Sequence, residues 1–185
     1  MIQIIHMFKL FFIVFFSLTI CSGVLAETAV PERIVCLAPS YDETLIELGL
    51  QDRIVGVTTA SDYLEEVQRA ERVGLWVKPN IEKIVALKPD LVLASGFTGQ
   101  QSAVKKLSAL GLRVVVLDET QGIEEIFAKT KQVGNIVGAH DRTEALLERM
   151  RKVVEETRRR TARLIRPRVY VEAGCDPLLD RKSVV

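Results

Sequence analysis

Histidine is scarce in this chain: 185 residues contain two, His6 and His140. His6 falls in a leader-like start, so one imidazole is left for chemistry. That excludes a zinc or manganese site built from several histidines. A Ser-His-Asp arrangement would need His140 to reach Ser40 or Ser95 across the fold. Next to Gly138, His140 reads as a helix-end cap rather than a catalyst. Cysteine is also sparse. Cys21, Cys36 and Cys175 show no metal-binding spacing, and Cys36, within an apolar run, reads as a small core residue. Charge of one sign is missing too: 25 Lys and Arg face 24 Asp and Glu. There is thus no electrostatic case for nucleic acid. No G-x-G-x-x-G follows a strand and no G-x-x-x-x-G-K-[ST] occurs, so a nucleotide fingerprint is absent.

What is present is a core and an export signal. Hydrophobic residues make up 48% of the chain, which excludes the disordered and fibrous classes. Lys9 precedes the apolar run Leu10–Phe16, and Ser22–Ala26 supplies small residues for cleavage after Ala26. Residues 1–26 therefore read as a signal peptide and place the mature protein in the periplasm or otherwise outside the cytoplasm. The run is shorter than the ~20 residues that span a bilayer. Lipid attachment at Cys21 is disfavoured by the bulky Ile20 before it. At the other end, Asp180–Val185 matches the translated start of a common sequencing adapter. Residues 180–185 are therefore expected to be non-native, with the natural sequence running to about Leu179.

Between these ends, short apolar runs alternate with helical patterns. Strands are predicted at Arg33–Leu37, Ile54–Val57, Leu91–Ala94 and Val114–Leu117. Helices are predicted from Tyr41, near Leu64–Ala70, and over Ile81–Leu87, Gln100–Leu110 and Ile123–Val137. Ser40/Glu43, Thr98/Gln101 and Asp141/Glu144 have capping-box spacing. Strands apolar throughout and alternating with helices mark a parallel sheet covered on both faces. The expected fold is α/β: a doubly wound, Rossmann-like lobe over residues 31–139. A long helix over 141–165 follows, with an apolar stripe of period 3.6 through Leu146, Met150 and Val153. Arg158–Arg160 reads as a solvated face of that helix. A new strand is expected from Arg168, opening a second lobe over 168–179 that is then cut short.

Ligands of open α/β sheets sit at the carboxyl ends of the strands. The loops expected there carry Ser40, Tyr41, Tyr63, Trp76 and Phe97, where Trp76 is the sole tryptophan. Aromatic faces with a few hydroxyls suit a large, flat, partly polar ligand. Glu82 falls in the first turn of its helix, where the helix dipole alone would explain an acid.

The segments PERIVCLAPSYDETLIELGL, DRIVGVTTASDY, VGLWVKPNIEKIVALKPDLVLASG and GLRVVVLDETQGIEEI carry a resemblance over about Pro31–Leu179. The chain resembles the N-terminal lobe of the ABC-transporter substrate-binding proteins for cobalamin and iron-siderophore complexes. The resemblance implies two α/β lobes joined by one long helix, with a corrinoid or iron chelate held between them. It implies a binding role rather than an enzymatic one, no cofactor or resident metal, a monomer, and an ABC permease as membrane partner. It implies ligand contact by Trp76, with Ser40, Tyr41 and Phe97 beside it, and permease docking by Glu82. Ala60 stands where relatives often carry an aromatic and Leu64 where proline is usual, so Tyr41 is expected to compensate. The alternatives are a hydrolase-like α/β enzyme using Ser40, or a ligand-sensing domain on the same fold.

Overall fold

The computed structural model describes residues 30–118 and 120–170. The signal peptide, Cys21, the expected second-lobe segment past 170 and the Asp180–Val185 tail lie outside the described residues.

In chain order the elements are β1 (Ile34–Cys36), α1 (Pro39–Glu47), β2 (Ile54–Val57), β3 (Glu71–Arg72), β4 (Gly74–Leu75), β5 (Lys78–Pro79), α2 (Ile81–Ala86), β6 (Leu91–Ser95), α3 (Gln101–Ala109), β7 (Val114–Leu117), α4 (Ile123–Ile136) and α5 (His140–Thr161). Short 3-10 turns fill the gaps. Five strands make one sheet in the order β3-β2-β1-β6-β7, every pairing parallel. β4 and β5 form a separate antiparallel hairpin. Ile34 of the central strand lies opposite Ile54 on one side and Leu91 on the other.

Side chains of a strand alternate between faces, and here both faces are apolar. Ile34, Cys36, Leu91 and Leu93 pack with Tyr41 and Leu45 of α1, Val133 of α4 and Leu146 of α5. Val35, Leu37, Val92 and Ala94 pack with Ile84 of α2 and Leu107 of α3. The sheet is therefore doubly wound, as the apolar runs predict. Leu45, Ile84 and Leu107 are fully buried, each contributing about 1.5–3 kcal/mol against an exposed position. Asp90 fixes the bottom of the sheet: its carboxylate accepts from the Glu32 and Arg33 backbone amides at 2.8 and 3.0 Å.

The capping boxes expected at Ser40/Glu43 and Asp141/Glu144 do not form. α1 starts at Pro39, with Ala38 as N-cap and no side-chain cap. Proline at the first helical position has its φ already set and needs no donor. Glu43 instead accepts from Tyr63, and Glu144 pairs with Lys131 at 2.7 Å. α3 begins at Gln101 after a 3-10 turn, with Gln100 at its N-cap position. The helix expected near Leu64–Ala70 is only a 3-10 turn over Glu65–Val67, and β3 follows it.

α4 and α5 approach closely at Gly134. A Cβ there would lie 1.9 Å from Thr143 Oγ1. α5 buries only its beginning, at Thr143, Leu146 and Leu147. Farther along, Val153 is 62% exposed. The helix ends at Thr161, short of Ile165. Residues 168–170 form no strand and are exposed, which corrects the expectation of a strand from Arg168 over its described part. A strand needs a neighbour to satisfy its backbone, and none is offered there among the described residues.

Candidate functional site

The sheet order reverses between β1 and β6. β2 and β3 extend to one side of β1, whereas β6 and β7 extend to the other. In such sheets the crevice outside the carboxyl ends of the two diverging strands is the usual ligand position. Here a protein side chain occupies its floor. Gln100 is fully buried. Its Nε2 donates to Leu37 O, just past β1, at 2.8 Å and to Trp76 O at 2.9 Å. Its Oε1 accepts from Ser95 N, at the end of β6, at 3.0 Å. All three partners are backbone groups, so their polarity fixes which end of the carboxamide is which. Sequence reasoning missed Gln100, because a glutamine in the polar run Thr98–Gln101 looks like a surface residue.

Trp76 and Val77 form the two-residue tip of the β4–β5 hairpin, whose strands pair Gly74 with Pro79 and Leu75 with Lys78. Gly74 takes a φ of 106°, where an L side chain would be strained. Asn80 N donates to Val73 O at 2.7 Å and closes the hairpin base. The half-buried Trp76 ring stacks on Phe97, with centroids 4.5 Å apart and planes inclined by 22°. Phe97 is set by its own backbone, whose amide donates to Ser95 Oγ at 3.1 Å. Its ring also lies over Gly99: a Cβ there would come within 2.6 Å of Phe97 Cε1. The structure thus brings together Trp76 and Phe97, which the sequence singles out separately.

Tyr41 is not at the surface. It is 2% exposed and belongs to the core. With α1 starting at Pro39, Tyr41 faces the sheet, and its hydroxyl donates toward Ala94 O and Leu117 O at 3.3 and 3.4 Å. The expectation that Tyr41 lines the ligand site, and compensates for Ala60, is corrected on that ground. Ser40 is exposed, beside an apolar groove of about 690 Å³ between α1, α4 and α5. It is not part of the Trp76–Phe97 stack. Tyr63 is exposed, and its hydroxyl donates to Glu43 at 2.5 Å. That bond pushes the phenol up to about 12. Glu82 lies exposed in the first turn of α2, which Asn80 caps by accepting from Lys83 N at 2.9 Å.

Beneath the loops lies a second polar group of residues. Asp42 is fully buried and accepts from Ser61 Oγ at 2.5 Å. Burial pushes its carboxyl up to about 7, and hydrogen bonds from Ser61 and Cys36 offset only part of that rise. Asp42 Oδ1 and the buried Thr58 Oγ1 have no protein hydrogen-bond partner. Burial likewise pushes the Cys36 thiol up, so it stays protonated.

His140 opens α5 rather than capping the end of α4, and its Nδ1 lies 3.1 Å from Asn135 Oδ1. Two residues on, Arg142 donates to Gly49 O, past the far end of α1 from Ser40. α1 has nine residues, or roughly 13 Å of helix.

Comparison with known proteins follows the same lines. The family model described as periplasmic binding protein matches residues 34–176. An uncharacterized ABC transporter substrate-binding lipoprotein of Bacillus subtilis is 34% identical over 152 residues, covering 80% of this chain and 48% of that protein. A vitamin B12-binding protein of Yersinia pestis is 33% identical over 147 residues, covering 80% of this chain and 52% of that one. Among solved structures, the periplasmic vitamin B12 binding protein of Vibrio cholerae superposes with a TM-score of 0.64 at 29% identity, over 72% of this chain and 52% of that one. A periplasmic heme-binding protein in complex with two hemes gives 0.66 at 29% identity, over 70% of this chain and 50% of that one. The chain spans about half the length of the curated relatives it matches.

Proposed function

Because this chain belongs to the periplasmic binding protein family, we propose that it forms the ligand-facing lobe of a solute-binding component of an ABC importer. Its ligand is a corrinoid or an iron chelate of the siderophore or haem type, bound outside the cytoplasm. The observation that carries this reading is the Trp76–Phe97 stack beside the sheet's switch point. Stacked rings give a broad apolar wall that suits a large conjugated or partly polar chelate. Ser40 is exposed at the start of α1 and free to add a polar contact. The half-length match supports a second lobe as the opposing wall, with α5 as the link between them.

Binding is read directly from Trp76 in the protein expressed at the length of its relatives. Titration with cobalamin, ferric siderophores and haem is expected to quench its fluorescence for one of these classes. Absence of quenching by all of them would sink the ligand assignment.

Glu82 is the proposed contact to the permease. It is exposed, and among the described residues it takes part in no ion pair. Glu82→Ala is expected to leave chelate affinity intact and to weaken uptake. Unchanged uptake would remove that role.

A further inference from the structure

We propose that Gln100 is a positioning residue for the ligand wall: its buried carboxamide sets where the Trp76 turn stands relative to the sheet. The inference rests on the reading that Trp76 faces the ligand.

The hairpin that carries Trp76 is not part of the five-stranded sheet. At its base it is held by Asn80 N on Val73 O. At its tip, the hydrogen bond from Gln100 Nε2 to Trp76 O ties its backbone to the lobe. The same nitrogen holds Leu37 O, and the same carboxamide's oxygen holds Ser95 N. One planar group therefore fixes three backbone segments: the end of β1, the end of β6 and the tip of the hairpin.

Leu37 O and Ser95 N are buried, where loss of the partner is costly, whereas Trp76 O is half-buried and depends on this bond for its position. Ser95 also leads directly to Phe97, whose amide is held by Ser95 Oγ. Gln100 thus sets the backbone under both rings of the stack. A ring's contact with a rigid ligand depends on sub-ångström placement of its supporting backbone. No other side chain type does this work: three-point bonding needs two N–H donors and one acceptor on the same arm, which is the inventory of a carboxamide. Asparagine has that inventory on an arm one methylene shorter.

The test uses the chain with Gln100→Met, which keeps the arm's volume and removes all three hydrogen bonds. Trp76 is the only tryptophan, so its emission and its quenching by acrylamide report the wall alone, without any ligand. The expected result is a red-shifted emission and an acrylamide quenching constant raised about twofold, since a loosened hairpin tip is more solvated, with far-UV circular dichroism unchanged. In the protein at its relatives' length, the same variant is expected to lose about tenfold in chelate affinity, the scale of one buried hydrogen bond.

Should Gln100→Met fail to fold, hydrogen exchange in the unaltered chain decides. The Gln100 carboxamide protons are expected to exchange far more slowly than those of Gln101 or Gln132, which lie in exposed residues. Emission and quenching identical to the unaltered chain, or Gln100 protons that exchange as fast as the exposed amides, would overturn the proposal. Failure of every chelate to quench Trp76 would instead strike the ligand reading, and the ligand-free signals would still judge Gln100.

Discussion

Replacing Asp42 with asparagine tests the electrostatics of the lobe at one atom. Asp42 is wholly buried, with one oxygen satisfied by Ser61 and the other without a protein partner. Its carboxyl rises from 3.8 to about 7. In the unfolded chain it loses its proton near pH 4; in the folded chain it keeps that proton to about pH 7. Between these values the folded state binds one more proton than the unfolded state, so stability falls as pH rises. The contribution is fully present below pH 4 and gone above pH 7. Three pH units at 1.36 kcal/mol each put the loss at about 4 kcal/mol, to order of magnitude. Asparagine has the same shape and no charge to bury, so Asp42→Asn removes this pH dependence. Urea unfolding of both proteins at pH 4 through pH 8, followed by Trp76 emission and circular dichroism, measures it. Near pH 4 the two are expected to differ by little. By pH 8 the variant is expected to be the more stable by a few kcal/mol. A difference that stays flat across that range would refute the reasoning, because it would mean that the carboxylate ionises in the fold at no cost.

Three further substitutions probe other joints. Gly99→Ala drives a Cβ to 2.6 Å from the Phe97 ring, so Phe97 must leave Trp76, and Trp76 emission is expected to shift to the red; an unchanged spectrum would contradict the stacked geometry. Gly134→Ala places a methyl against Thr143 at the α4–α5 contact and is expected to cost at least the ~1–3 kcal/mol of an overpacked core, read as a lower urea midpoint. Tyr41→Phe removes a buried hydroxyl that bonds carbonyls ending β6 and β7. It is expected to cost roughly 0.5–1.5 kcal/mol of stability and leave chelate affinity unchanged; a large loss of affinity with normal stability would restore Tyr41 to the ligand site.

The sheet was legible because its signal is collective. Four of its strands are uninterrupted apolar runs, and the helices between them stop at Gly49, Gly111 and Gly138, which take φ values of 65°, 83° and 69°. Only a residue with no Cβ adopts such angles freely, so each glycine marks a helix end with a physical reason. β3 gave no such signal. Glu71 and Arg72 are charged, and the strand exists because its backbone pairs with Gly56 and Val57 at a sheet edge. The capping boxes failed for a different reason. Ser-x-x-Glu spacing says where two side chains could meet, but Tyr63 and Lys131 compete for Glu43 and Glu144, and both competitors come from elsewhere in the chain. Tyr41 shows the same limit: α1 begins at Pro39 rather than Tyr41, and the expected surface aromatic lies in the core.

The candidate site divides along the same line. Trp76 could be singled out from sequence, because a lone tryptophan beside a loop-to-helix signal is a local pattern. Its partner Phe97 follows 21 positions later, and Gln100 joins Leu37, Trp76 and Ser95 from segments as much as 63 residues apart. Nothing in local spacing encodes that convergence. It follows from the topology, because the reversal of strand order between β1 and β6 leaves two strand ends diverging with unpaired backbone groups between them. A fold that seats its ligand deep in that crevice leaves those groups to the ligand. Here Gln100 satisfies Leu37 O and Ser95 N, so the crevice floor is closed beneath the aromatic stack. Such a wall is ordered before any ligand arrives: Trp76 is held through its backbone by the carboxamide and through its ring by Phe97. Preorganisation of this kind lowers the entropy lost on binding. On the proposed reading it also separates two contributions to affinity, one from this preordered wall and one from the contacts opposite it.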